Sequence, residues 1–286
     1  MVELVCGFLF GSLALIADAV HLTSDVLALG LALGALALAQ RPPTERHTYG
    51  FERAEVLAAL ANGVLLLAGA VVIVFEAVRR LRSPQPVDAA GVLVIGIAGV
   101  IVNVFSALAL ARTAHGNLNM RAALWHLALD AVGSLAVVVS AIGALVFGAE
   151  RLDSIASLVI AGLVVVGAWS VLRDATRVLL EAVPGDVDVA AVRSALELEA
   201  GVEAVHHMHV WSLGSESSAL SAHVVLTGPL SLHDAQERAT ELKTMLAKQF
   251  GIEHATLEVE CHACVDDPVH TGASRVAPIH PGHHDH

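Results

Sequence analysis

The sequence predicts a helical membrane domain followed by a small α+β soluble domain, and three observations carry that prediction. The chain is 56% apolar and only 15% charged, where a soluble domain carries about 25% charged residues. Before Pro184 it contains several uncharged apolar runs, each long enough for a membrane-crossing helix. Beyond Pro184 the character changes: up to that residue there are 11 Lys/Arg against 13 Asp/Glu, and after it 5 against 15, with 12 of the 16 histidines. The acidic balance and the lack of a basic stripe exclude a nucleic-acid partner. Three cysteines, Cys6, Cys261 and Cys264, are too few for a disulfide framework.

Taken in order, the first stretch is short. Met1 to Phe10 makes about 15 Å of helix, which does not cross a hydrocarbon core of about 30 Å. It has neither the basic start nor the cleavage site of a signal peptide. Ser12 to Ala39 is long enough to span but contains Asp18, His21 and Asp25. Val56–Phe75, Ala89–Ala111, Ala131–Ala149 and Ser154–Leu172 are uncharged runs of 20, 23, 19 and 19 residues. Their connections, Gln40–Arg53, Arg79–Asp88, Arg112–Arg121 and Glu150–Asp153, are polar. On alternating sides these loops place Arg41, Arg46, Arg53, Arg112, Arg121, Arg173 and Arg177 opposite Arg79, Arg80, Arg82 and Arg151. The positive-inside rule puts the C-terminal domain in the cytoplasm of a cell-membrane protein.

Charged residues inside a membrane helix cost about 2.5–3.5 kcal/mol each on insertion scales and mark function. The run DAVHLTSD puts Asp18, His21 and Asp25 on one helical face. The run LWHLALD repeats the spacing with His126 and Asp130. Two helices each offering H-x-x-x-D supply two imidazoles and two carboxylates, a set that suits tetrahedral Zn²⁺. The net ligand charge of −2 neutralises the ion, as an apolar interior requires. Asp18 is either a carboxylate through which ions or protons enter, or a group that snorkels outward. Asn62 and Asn103 are expected to form interhelical hydrogen bonds, and Glu76 to lie at the interface.

Beyond Pro184 the pattern reads helix (Val187–Ala200), strand (Ala204–Leu213), strand (Ser218–Leu226), helix (Ser231–Phe250), strand (His254–Glu260). Strict alternation places His207 and His209 on one face of the first strand and His206 on the other. His223 lies on the next strand, and Glu258 and Glu260 share a face of the last. Cys261-His262-Ala263-Cys264 has a metal-ligand spacing and is expected to supply the tightest soluble site. Residues 265–286, polar and containing His270 and HPGHHDH, are expected to be disordered. The domain limits are therefore 1–183, 184–264 and 265–286.

The segments GSLALIADAVHLTSD and RHTYGFERAEVLAALANG, followed by the second H-x-x-x-D, resemble the cation diffusion facilitator family from residue 1 to about Glu260. The resemblance implies a six-helix membrane fold, a homodimer, and export of divalent metal in exchange for protons. It implies a transport site of His21, Asp25, His126 and Asp130, in the pattern of the zinc-preferring branch. It also implies that most of the first helix is missing, since family members carry some fifteen to twenty more residues before Val2. A loop site in some relatives is represented here only by His47 and nearby Glu45, with Phe51 in place of a second histidine. The soluble part is similar to the family's ferredoxin-like, metallochaperone-like cytoplasmic domain, which pairs two protomers.

The expected function is proton-coupled efflux of Zn²⁺, with Cd²⁺ or Co²⁺ also in range, and no prosthetic group. The competing expectation is a membrane-anchored metal sensor that does not transport. A membrane metalloprotease is disfavoured by the absence of HExxH.

Overall fold

The computed structural model describes residues 2–113, 118–215, 217–228 and 230–262, and the chain divides into two compact units between Thr176 and Arg177. The first contains α1 (Val2–Phe10), α2 (Leu13–Ala39), α3 (Arg53–Arg82), α4 (Ala89–Thr113), α5 (Leu118–Phe147) and α6 (Arg151–Leu179). Five of these, α2 to α6, are long and apolar enough to cross a membrane. Local residues punctuate them. Ser12 caps α2 by accepting from the Leu15 N–H at 3.1 Å. Pro84 and Pro86 separate α3 from α4, and Gly148 turns α5 into α6 at φ 62°.

Large apolar side chains such as Phe75, Phe105 and Phe147 point outward and are exposed, whereas Ala14, Ala77, Val92 and Val137 are fully enclosed. An outward apolar surface of this extent suits lipid rather than water. The short α1 is held by close approach: a methyl group on Gly7 would lie 2.7 Å from Ile16 Cγ1, and one on Gly91 would meet the Phe10 ring at 2.8 Å. Along α2 the packing is uneven. Every residue from Ser12 to Ala19 is buried, whereas the half from Val26 to Leu36 is mostly exposed.

Two boundaries differ from the expectation. α5 begins at Leu118, so His126 lies two turns inside it. Asp153, assigned to a polar connection by its charge, is in the first turn of α6 and is buried.

The second unit holds α7 (Val189–Glu197), β1 (Val202–Ser212), β2 (Ser218–Leu226), α8 (Leu232–Phe250) and β3 (His254–Glu260). The αββαβ order is the expected one. Asp188 caps α7, a capping box of Ser231 and Asp234 starts α8, and Gly251 ends it at φ 66°. The sheet order is β1-β2-β3, with β1 and β2 antiparallel and β2 and β3 parallel. The parallel pair needs a crossover, which α8 provides. Val192, Leu196, Leu242 and Leu246 pack on Val205, Leu220 and Val224. Burying each such side chain contributes about 1.5–3 kcal/mol. The two helices thus cover one sheet face, and the opposite face presents His206, His223, Glu258 and Glu260.

Candidate metal-transport site

His21 and Asp25 come from α2, and His126 and Asp130 from α5. Helical i, i+4 spacing aligns each pair, and packing of α2 on α5 brings the pairs together. His21 Nε2 lies 3.3 Å from Asp130 Oδ1, and His21 Nδ1 lies 3.8 Å from Asp25 Oδ2. His126 Nε2 lies 3.6 Å from Asp25 Oδ2 and 3.8 Å from Asp130 Oδ2. The two rings stand edge to face with centroids 6.0 Å apart. Each carboxylate therefore faces both imidazoles. His21 Nδ1, Asp25 Oδ2 and Asp130 Oδ1 are buried with no hydrogen-bond partner. Buried polar atoms are normally paired, and unpaired lone pairs from three residues turned into one space are what a cation would satisfy.

The site is closed on one side only. The Asp130 side chain is 5% exposed, His21 20%, Asp25 28% and His126 51%. Exposure rises toward the helix ends at Ala39 and Leu118. It vanishes toward the Ser12 end, where α2 is packed.

A second group of donors lies on the open face of the sheet. His206 Nε2 is 3.0 Å from Glu260 Oε2, and His223 Nδ1 is 2.7 Å from Glu260 Oε1. His206 and His207 bring their Nδ1 atoms to 3.0 Å, and His223 Nε2 is 3.5 Å from Glu258 Oε2. Two ligand-type triads result, His206–His207–His223 and His223–Glu258–Glu260, with His223 common to both. The expected separation of His206 from His207 is overturned. A β-bulge places His207 and Met208 opposite Ala222 alone, and His207 takes φ 47°. The bulge turns the His207 ring to the side of His206. His209 lines the adjoining cleft of about 240 Å³ with His207, Ser221, His223, Thr256 and Glu258.

A family model described as the cation efflux transmembrane domain matches residues 1–180, and one described as the cation efflux protein cytoplasmic domain matches residues 184–262. The chain belongs to the cation efflux, or cation diffusion facilitator, family. This efflux-family chain is 37% identical over 274 residues to the metal cation efflux system protein CzcD of Cupriavidus metallidurans, covering 95% of this chain and 86% of that protein. It is 38% identical over 269 residues to the zinc transporter ZitB of Escherichia coli, covering 92% and 84%. A cadmium, cobalt and zinc/H⁺–K⁺ antiporter of Bacillus velezensis is 35% identical over 265 residues, covering 92% and 84%. The family is one of transporters, so the chain is a multi-pass membrane carrier and not an enzyme.

The remaining residues singled out in this efflux protein are placed as follows. Asp18 is enclosed beside Ser134 rather than snorkelling outward. His47 stacks on Phe51 with centroids 4.5 Å apart, its Nδ1 3.4 Å from Thr44 Oγ1, and both His47 and Glu45 are exposed. Among the described residues no three metal-type side chains gather in that loop. Cys261 is an exposed free thiol, and neither it nor His262 joins either triad. Cys264 and residues 265–286 lie outside the described residues. Asn103 makes the expected interhelical bond, donating to Ser134 Oγ at 3.1 Å. Glu76 binds Arg79 and Arg80, both at 2.8 Å.

Two residues escaped the sequence reading, Asp153 and Ser134. The only local signal for Asp153 was a Ser12 cap one helix-start away in space but distant in sequence. Ser134 carried none.

Proposed function

We propose that this protein exports divalent metal from the cytoplasm in exchange for protons, as a homodimer in the cell membrane, with Zn²⁺ the main substrate and Cd²⁺ and Co²⁺ also carried. The observation that supports it most is the grouping of His21, Asp25 and Asp130 with three buried ligand atoms unpaired, and His126 within 3.8 Å of both carboxylates. Two neutral imidazoles and two carboxylates neutralise a divalent ion, and the nitrogen content favours zinc over manganese. The names of the relatives CzcD, ZitB and the cadmium, cobalt and zinc antiporter agree with that range.

Each ligand binds metal only when deprotonated, so metal and protons compete at the site. Imidazole titrates near neutral pH, which makes His21 and His126 suitable exchange groups. The arginine distribution and the cytoplasmic-domain match support a cytoplasmic Leu179 end of α6. The gradient of exposure then describes an inward-open carrier. Cytosolic metal displaces protons here, and rocking of the helices about the site opens the packed Ser12 end, where protons displace the metal.

In this reading residues 1–183 transport. Residues 184–264 pair two protomers and hold regulatory metal on His206, His207, His209, His223, Glu258 and Glu260, with Cys261, His262 and Cys264 as further candidate ligands. The tail 265–286 is accessory. The stretch beyond Pro184 carries a formal charge of −10, so bound cations reduce the repulsion between two copies.

The test is Zn²⁺ flux into proteoliposomes with an internal pH reporter. The expected result is metal uptake accompanied by opposite proton movement. Metal binding without flux would favour the membrane-anchored sensor, a reading against which ligands on two separate membrane helices weigh.

A further inference from the structure

A second polar cluster lies one helical turn from the four ligands and contains none of them. Asp18 of α2 is 2% exposed. Its Oδ2 accepts from Ser134 Oγ of α5 at 3.0 Å, and Ser134 Oγ in turn accepts from Asn103 Nδ2 of α4 at 3.1 Å. Asp18 Oδ1 is buried and has no hydrogen-bond partner. Two glycines leave room for this arrangement. A methyl group on Gly133 would sit 2.9 Å from Asp18 Oδ1, and one on Gly99 would sit 3.0 Å from Glu3 Oε1 and 3.3 Å from Ser134 Oγ. Asp18, Ser134 and Asn103 therefore form a hydrogen-bonded string across three helices, and Asp18 Oδ1 is its open position.

A bare carboxylate oxygen away from water and without a donor costs several kcal/mol. Something of positive charge satisfies it, and size decides what. A metal ion needs several oxygens and a cavity, whereas a methyl group on Gly133 would already crowd Oδ1 at 2.9 Å. A proton needs only the lone pair. The charged groups within reach of Asp18 are Glu3 from α1, His21 from its own helix and Asp130 from α5, while α4 presents neutral Asn103.

We propose that Asp18 is a proton-binding site separate from the four metal ligands, carrying a counter-proton of transport on its unpaired Oδ1. This rests on the antiport reading above. Only an O–H bond is made or broken: with metal on the four ligands the Oδ1 proton is lost to water, and with the metal gone a proton returns from water to Oδ1. The dication and the proton then oppose each other through the field across one helical turn, without sharing a ligand. Asp18 and Ser134 stand on the Ser12 and Phe147 side of the ligands, the packed side from which counter-protons arrive in the orientation proposed.

The experiment uses the full chain in proteoliposomes and compares two rates, Zn²⁺ uptake driven by an imposed pH gradient and isotopic Zn²⁺ exchange at equal pH, which moves no net proton. For Asp18→Asn the ratio of driven uptake to exchange should fall at least tenfold. An unchanged ratio overturns the proposal, and so does equal loss of both rates with loss of Zn²⁺ binding, which would make Asp18 part of the metal site. Ser134→Ala serves as the milder variant if Asp18→Asn does not fold. Losing the donor to Oδ2 disfavours the carboxylate, so the pH profile of driven uptake should move about one unit to higher pH. A profile that stays in place overturns the proposal. If wild-type protein exchanges Zn²⁺ but shows no driven uptake, the antiport reading itself fails and takes this proposal with it.

Discussion

Asp153 and Ser12, 141 residues apart in sequence, meet where α6 begins and α2 begins: Ser12 Oγ donates to Asp153 Oδ1 at 2.5 Å. The other carboxylate oxygen accepts the Leu13 N–H at 2.7 Å, and Oδ1 also receives the Ala14 N–H at 3.4 Å. A carboxylate at a helix N-terminus complements both the free N–H groups and the helix dipole. Arg80 of α3 adds a second hold by donating to the Gly11 carbonyl at 2.6 Å. The helix that carries His21 and Asp25 is therefore clamped at its packed end.

Removing the clamp should destabilise the membrane unit more than removing the cap. Asp153→Ala leaves the Ser12 hydroxyl and the Leu13 and Ala14 N–H groups enclosed without their acceptor, at about 1–3 kcal/mol for each group left unpaired. Ser12→Ala should cost about 1 kcal/mol. Thermal unfolding in detergent compares them, and equal melting temperatures would remove the clamp from the account.

Asp25→Ala or Asp130→Ala should abolish Zn²⁺ flux in a protein that still folds and dimerises. One carboxylate less leaves a net −1 against a dication in a low-dielectric interior, an uncompensated buried charge. Near-normal flux from either variant would break the four-ligand assignment.

His21→Asp should raise transport of Mn²⁺ relative to Zn²⁺, because carboxylate oxygen suits the harder ion and imidazole nitrogen the softer. Competition uptake of the two metals measures the ratio. A constant ratio would mean that His21 does not touch the ion.

In the soluble unit, His223→Ala should lower the number of Zn²⁺ ions retained by the full-length protein by at least one per chain, since His223 belongs to both triads. Cys261→Ser should retain the wild-type count, because Cys261 is exposed and joins neither. Elemental analysis of the desalted proteins gives both numbers. The reverse pattern would return the site to the cysteines.

What the sequence by itself determined is whatever depends on local spacing. Runs of apolar residues set the five long helices. The i, i+4 repeat put His21 with Asp25 and His126 with Asp130, each pair on one face. Period-two alternation and helical spacing marked the αββαβ order. Tertiary structure alone decided depth, partner and register. Asp153 reads as a loop charge until α6 meets the start of α2. Asp18 reads as either an entry carboxylate or a snorkelling one until Ser134 closes over it. His206 and His207 read as opposed until a bulge opposite Ala222 turns one of them round. Spacing along a chain fixes which face a side chain occupies, but only the packing of distant segments fixes what that face meets.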